Sequence, residues 1–160
     1  MKHGGLLKHP IHFLALGFGS GLSPKAPGTM GTVAAIPVVI LLAMLGSTAF
    51  FIATVVACVV GIYICGFTAK AMGEHDHPAI VWDEIAGFMV AMLFVPIHWQ
   101  TLLLAFVLFR FFDILKPWPI RYLDRHVHGG LGIMLDDILA GLASLVIIQA
   151  LLSYGLLGGA

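Results

Sequence analysis

The chain has 160 residues, of which 60% are apolar and only 10% charged, and its mean hydropathy is +1.04. A soluble domain of this size draws about 25% of its residues from the charged set, so this chain cannot cover a water-facing surface and part of its solvent must be lipid. Eight basic and eight acidic residues balance, which removes the net positive field that a nucleic-acid partner requires.

Met1-Lys2-His3-Gly4-Gly5 is not followed by a long apolar run with a small-residue cleavage site, so no removable signal peptide is expected. A spanning helix needs about 20 mostly apolar residues. Ile11 to Phe18 is too short to cross and reads as an interfacial or re-entrant element leading into a glycine-rich stretch, Gly17 to Thr32. Met30 to Leu45 is a short span carrying Pro37 in its first turns, and Ala49 to Phe67 is a clean one. Ile85 to Ile97 and Trp99 to Phe112 read as a helical hairpin broken at Pro96-Ile97-His98, and Ile138 to Leu157 is the last span. The expected fold is a single all-α membrane domain over residues 1–160, a compact bundle of about four to five transmembrane helices with a glycine-rich N-terminal loop. Cys58 and Cys65, seven apart on one helix face, are too far apart to bridge and read as packing residues. Gly129, Gly130, Gly132, Ala140, Gly141 and Ala143 allow close helix contact within or between chains, which leaves a homo-oligomer open.

With five spans, all charged residues fall on one side of the bilayer. Lys2, Lys8 and Lys25 precede the first span, and Lys70, Glu74, Asp76, Asp83 and Glu84 separate the second from the third. Arg110, Asp113, Lys116, Arg121, Asp124, Arg125, Asp136 and Asp137 surround the connection to the last span, and none follows Ile138. The positive-inside rule makes that side cytoplasmic, with the N-terminus in and the C-terminus out. A transporter or channel needs ionisable groups along a path through the membrane. Nearly featureless spans with polar ends fit chemistry on a lipid headgroup better.

Five carboxylates stand at expected helix ends: Asp83 and Glu84 opening the third span, Asp113 closing the fourth, and Asp136 and Asp137 opening the fifth. Hard oxygen ligands grouped in this way suit Mg2+, which takes a few carboxylates plus waters and phosphate oxygens. Acids at helix N-termini also complement the macrodipole without any metal. That explains one acid per helix, but it explains two adjacent pairs and Asp113 at a C-terminal end poorly. Arg110, Lys116, Arg121 and Arg125 share the same region, where forked guanidinium donors match phosphate oxygens. Arg110 lies inside an apolar run three residues before Asp113, so an internal salt bridge and substrate contact both remain open. In GFGSGLSPKAPGTMGT, five glycines can turn backbone N–H groups toward an anion, and Lys25 sits among them. No Gly-Lys-Ser/Thr closes that stretch as a Walker A motif would.

His75 with His77, and His126 with His128, lie on the charged side, and either pair can supply a general base or a metal ligand. His98 falls on the opposite face. A Cys-x5-Arg loop, an Asp-x-Asp-x-Thr nucleophile and a Pro-Ser-Gly-His block are all missing. Metal-assisted hydrolysis or an unusual histidine route remains.

Three blocks, GFGSGLSPKAPGTMGT, HDHPAIVWDEIAG and FRFFDILKPWPIRYLDRHVHGGLGIMLDDILAG, together resemble the phosphatidylglycerophosphatase A family over nearly the whole chain. The resemblance implies Mg2+-dependent removal of the terminal phosphate of phosphatidylglycerophosphate at the cytoplasmic face of a bacterial inner membrane. It implies that Asp83, Glu84, Asp113, Asp136 and Asp137 hold the metal. Lys25, Lys116, Arg121 and Arg125, with Arg110 beside them, would offset phosphate charge, and His126 or His128 would move a proton. The rivals are a non-enzymatic protein that binds anionic lipid and a small metal-ion transporter. For the latter, Ser47, Thr48, Thr54 and Ser144 are the main polar groups on offer within the spans.

Overall fold

The computed structural model describes residues 3–157, so Lys2 lies outside the described residues. No strand occurs among them. Seven α-helices follow one another: α1 (Pro10–Ala15), α2 (Pro27–Ala43), α3 (Ser47–Met72), α4 (Trp82–Ala91), α5 (Trp99–Leu115), α6 (Ile120–His126) and α7 (Gly129–Ser153). Short 3-10 turns at His3–Lys8 and Gly17–Leu22 flank α1.

Two helices, α3 and α7, are long and apolar enough to cross a membrane. At 26 residues, α3 runs about 39 Å, against a hydrocarbon thickness of about 30 Å. Its outer face carries Phe51, Ile52, Val55, Val56, Val59 and Tyr63, all exposed, while Phe50, Thr54, Ala57, Gly61, Ile64 and Cys65 turn inward. On α5, Leu103, Val107, Phe111 and Ile114 form a second exposed apolar stripe. A helix of a water-soluble protein places polar residues there. Large apolar side chains outside, with small or weakly polar ones such as Thr54, Ala57, Gly61 and Cys65 among those inside, are what a helix surrounded by hydrocarbon needs.

The hairpin expected at Ile85 to Phe112 takes a different form. α4 has ten residues, about 15 Å, and Ile85 to Ala91 are all buried. It is the axis of the molecule, with α2, α3, α5 and α7 packed around it. The packing is tight because Gly141 of α7 lies against Gly87 of α4: a Cβ on Gly141 would stand 2.3 Å from the Gly87 carbonyl oxygen. Trp82 Nε1 donates to the Ala57 carbonyl at 3.0 Å, tying α4 to α3. At the far end of α4, Gln149 Nε2 donates to the Leu93 and Phe94 carbonyls, which α4 leaves without helical partners. The small residues of α7 at this contact therefore serve packing within the chain.

The glycine-rich stretch is ordered. Gly17–Leu22 is a 3-10 turn kinked at Phe18 and Gly19, and Ala26, in the left-handed region, leads into α2. Val81 N–H donates to the Ala15 carbonyl at 2.9 Å, holding this turn against the start of α4. The last helix begins at Gly129, nine residues before Ile138, so Asp136 and Asp137 lie in its third turn rather than at its opening. This matters for the chemistry, because the helix-end field has faded by then.

Candidate active site

The starts of α2 and α4, the end of α5 and the third turn of α7 surround one cleft of about 240 Å³. Its acidic lining is Asp76, Asp83, Glu84, Asp113, Asp136 and Asp137. Oxygens of Asp83, Glu84 and Asp137 all lie within 4.8 Å of one another, and so do those of Asp113, Asp136 and Asp137. Asp137 thus belongs to both triads. Asp83, Asp136 and Asp137 are buried.

The counter-charges are few. Arg110 ion-pairs with Asp113 on the last turns of α5. Lys116, the left-handed residue that ends α5, reaches Asp136 Oδ2 at 2.6 Å and Asp124 Oδ1 at 3.0 Å. Burial opposes the charge on Lys116, but these two carboxylates outweigh it and raise its pKa. After these pairings, Asp83 Oδ1, Glu84 Oε2, Asp136 Oδ1 and Asp137 Oδ2 are buried without a hydrogen-bond partner in the protein. Leaving such groups unpaired costs several kcal/mol in principle, and the four together are a group that could hold a cation. The donors are all hard carboxylate oxygens, which fits Mg2+.

Gly28, in the first turn of α2, closes the cleft from the glycine-rich side. A Cβ there would stand 2.6 Å from Glu84 Oε1 and 3.2 Å from Arg110 Nη1. Only glycine lets the α2 N-terminus press against the acids, and that end presents free N–H groups suited to an anion.

All five acids expected to bind metal, Asp83, Glu84, Asp113, Asp136 and Asp137, converge here, together with Lys116 and Arg110. The remaining expected residues lie elsewhere. Lys25 is exposed and does not line the cleft. Arg121, Arg125 and His126 line a separate groove on α6, with Lys116 shared between the two. His128 is exposed, its ring 5.5 Å from that of His75. The imidazole in the cleft is His77, whose Nδ1 accepts from Ala79 N–H at 3.1 Å and whose Nε2 stands 3.5 Å from Glu74 Oε2. Asp76 and Gly28 were not marked as site residues by sequence reasoning. Asp76 stands in the same short block as Asp83 and Glu84, and that proximity was the available signal.

The profile of the phosphatidylglycerophosphatase A family matches residues 13–152. The chain belongs to that family. It is 50% identical over 139 residues to phosphatidylglycerophosphatase A of Escherichia coli, covering 86% of this chain and 81% of the relative. To the protein of the same name from Haemophilus influenzae it is 50% identical over 147 residues, covering 91% and 90%. A Bacteroides thetaiotaomicron relative, 38% identical over 144 residues (84% and 89%), carries the provisional name phosphatidylinositol-3-phosphatase. No solved structure matches the chain significantly. Membership in the phosphatidylglycerophosphatase A family makes this chain a lipid phosphatase, and the family match spans every residue of the carboxylate cleft.

Proposed function

We propose that the protein is a Mg2+-dependent phosphatidylglycerophosphatase of the bacterial inner membrane, converting phosphatidylglycerophosphate to phosphatidylglycerol and inorganic phosphate at the cytoplasmic face. The single observation that carries the reading is the set of four buried, unpartnered carboxylate oxygens in the cleft. Family membership supplies the reaction, and the apolar outer faces of α3 and α5 support the bilayer as surroundings.

In this reading Asp83, Glu84 and Asp137 would hold one ion, and Asp113, Asp136 and Asp137 would be the ligands of a second. Bound Mg2+ supplies Lewis-acid polarisation of the phosphoryl group and a more acidic water. The chain's own residues do the rest. Lys116 offsets charge that develops on the phosphoryl oxygens, while Arg110 keeps Asp113 in place. N–H groups at the start of α2 orient the phosphate. Water adds to phosphorus, the bond from phosphorus to the glycerol oxygen breaks, and that oxygen takes a proton. The attacking water gives up the proton that the glycerol oxygen takes, and His77, whose Nδ1 accepts from Ala79 N–H, directs its Nε2–H toward Glu74 at the edge of the cleft. Acyl chains lie along the outside of the bundle, so the lipid need not leave the bilayer.

A transporter is disfavoured by the hydroxyls inside the spans. Thr54 and Ser144 donate to carbonyls one turn back on their own helices, at 2.8 Å each, and so offer no polar path. The test is phosphate release from purified protein in detergent micelles containing phosphatidylglycerophosphate. Release that stops with EDTA and returns with Mg2+ supports the reading, and release insensitive to EDTA refutes the metal requirement.

A further inference from the structure

A second concavity of about 360 Å³ lies on α6, lined by Lys116, Trp118, Arg121, Tyr122, Arg125 and His126 among others. Lys116 is also part of the carboxylate cleft, so the two concavities share a wall. Arg121 and Arg125 stand four apart on one face of α6, the spacing that brings side chains together. Arg121 Nη2 donates to the Leu115 carbonyl at 3.1 Å, which fixes the side chain and leaves its other donors. Among the described residues neither guanidinium has an acid within ion-pair distance, although six carboxylates line the cleft next door. Arg110 and Lys116, by contrast, are both paired. The groove is framed by Trp118, 82% exposed, and by Tyr122, whose ring stacks on His126 at 4.1 Å. Indole and phenol rings of that kind settle at the headgroup level of a bilayer.

We infer that Arg121 and Arg125 form a subsite for the phosphodiester group of the same lipid whose terminal phosphate enters the cleft. The inference rests on the lipid-phosphatase reading above and adds the source of its headgroup specificity. The substrate carries two phosphates joined by a glycerol bridge. Only the terminal one gains from a cation-filled carboxylate cleft, and the diester needs cations that no acid already holds. Forked, unpaired guanidiniums on the far side of Lys116 meet that need. A lipid with one phosphate attached directly to diacylglycerol fills only one of the two places.

The test separates the two places with two inhibitors. Phosphatidylglycerol, the product, presents the diester alone, whereas inorganic phosphate presents the other anion alone. In mixed micelles with Mg2+ and phosphatidylglycerophosphate, Arg121→Gln/Arg125→Gln is expected to weaken inhibition by phosphatidylglycerol about tenfold or more and to raise KM by a similar factor. Inhibition by inorganic phosphate is expected to stay within about twofold, since only the diester contacts are lost. Arg121→Lys/Arg125→Lys, which keeps charge and removes the forks, is expected to fall between. Unchanged inhibition by phosphatidylglycerol in the glutamine variant overturns the inference. So does an equal loss with inorganic phosphate. Phosphatidylserine inhibiting the wild type as strongly as phosphatidylglycerol, and losing as much in the variant, would instead assign these arginines to general attraction for an anionic surface. Failure of the wild type to release any phosphate strikes the underlying activity, a result distinct from all of these.

Discussion

Replacing Asp137 by Asn is expected to stabilise the metal-free protein while abolishing its response to Mg2+. Asp137 contributes to both carboxylate triads, whose oxygens lie within 4.8 Å of one another. At that separation and an effective dielectric constant of about 20, each ionised pair repels by about 3 kcal/mol. Even about 1 kcal/mol of relief raises the melting temperature of a chain of this size by about 2–4 °C. Wild-type protein, by contrast, gains about 2.7 kcal/mol from a ligand at a hundred times its Kd, or roughly 5–10 °C by the same conversion. The assay is thermal unfolding in detergent, with EDTA and with Mg2+ in excess. The expected pattern is a variant that melts above wild type in EDTA and shows no shift with Mg2+. A variant that melts lower in EDTA and keeps the Mg2+ shift would refute the reasoning, because Asp137 would then be a structural partner rather than a ligand.

Gly28→Ala places a methyl group against Glu84 Oε1 and Arg110, so Mg2+ affinity or turnover should drop about 10–100-fold, as for other changes just outside a metal's ligands, measured by Mg2+ titration of phosphate release. Gly141→Ala forces its Cβ onto the Gly87 carbonyl and should cost about 1–3 kcal/mol of stability, read as a lower melting temperature in detergent.

Much of this was legible in the sequence. The apolar runs located α2, α3 and α5, and grouping the charges by position gathered five acids that line one cleft, without Asp76 beside them. The failures have specific causes. Ile85 to Ile97 is as apolar as a span, and apolarity alone does not separate a lipid-crossing helix from one buried in protein. The short α4, buried from Ile85 to Ala91, is packed within the protein. Asp136 and Asp137 put the expected start of the last span at Ile138, yet Gly129 to Leu135 is itself apolar and belongs to the same helix. That shift removes the helix-end explanation for Asp136 and Asp137. The dense charges of Ile120–His126 concealed a helix that starts after Pro119. Once that segment is helical, Arg121, Arg125 and His126 face a groove of their own rather than the carboxylates. Position along the chain could not distinguish the two sides of that helix, nor could it reveal that Gly28 touches Glu84, a contact between residues far apart in sequence.

The central claim is that acids from α4, α5 and α7 share a divalent cation. Mn2+, a paramagnetic substitute for Mg2+, tests it directly when titrated into purified protein and followed by the loss of its free electron paramagnetic resonance signal. The account predicts bound Mn2+ that Mg2+ displaces, together with greatly weakened binding in Asp83→Asn and Asp137→Asn. Binding in both variants equal to wild type, or none in wild type, would contradict it.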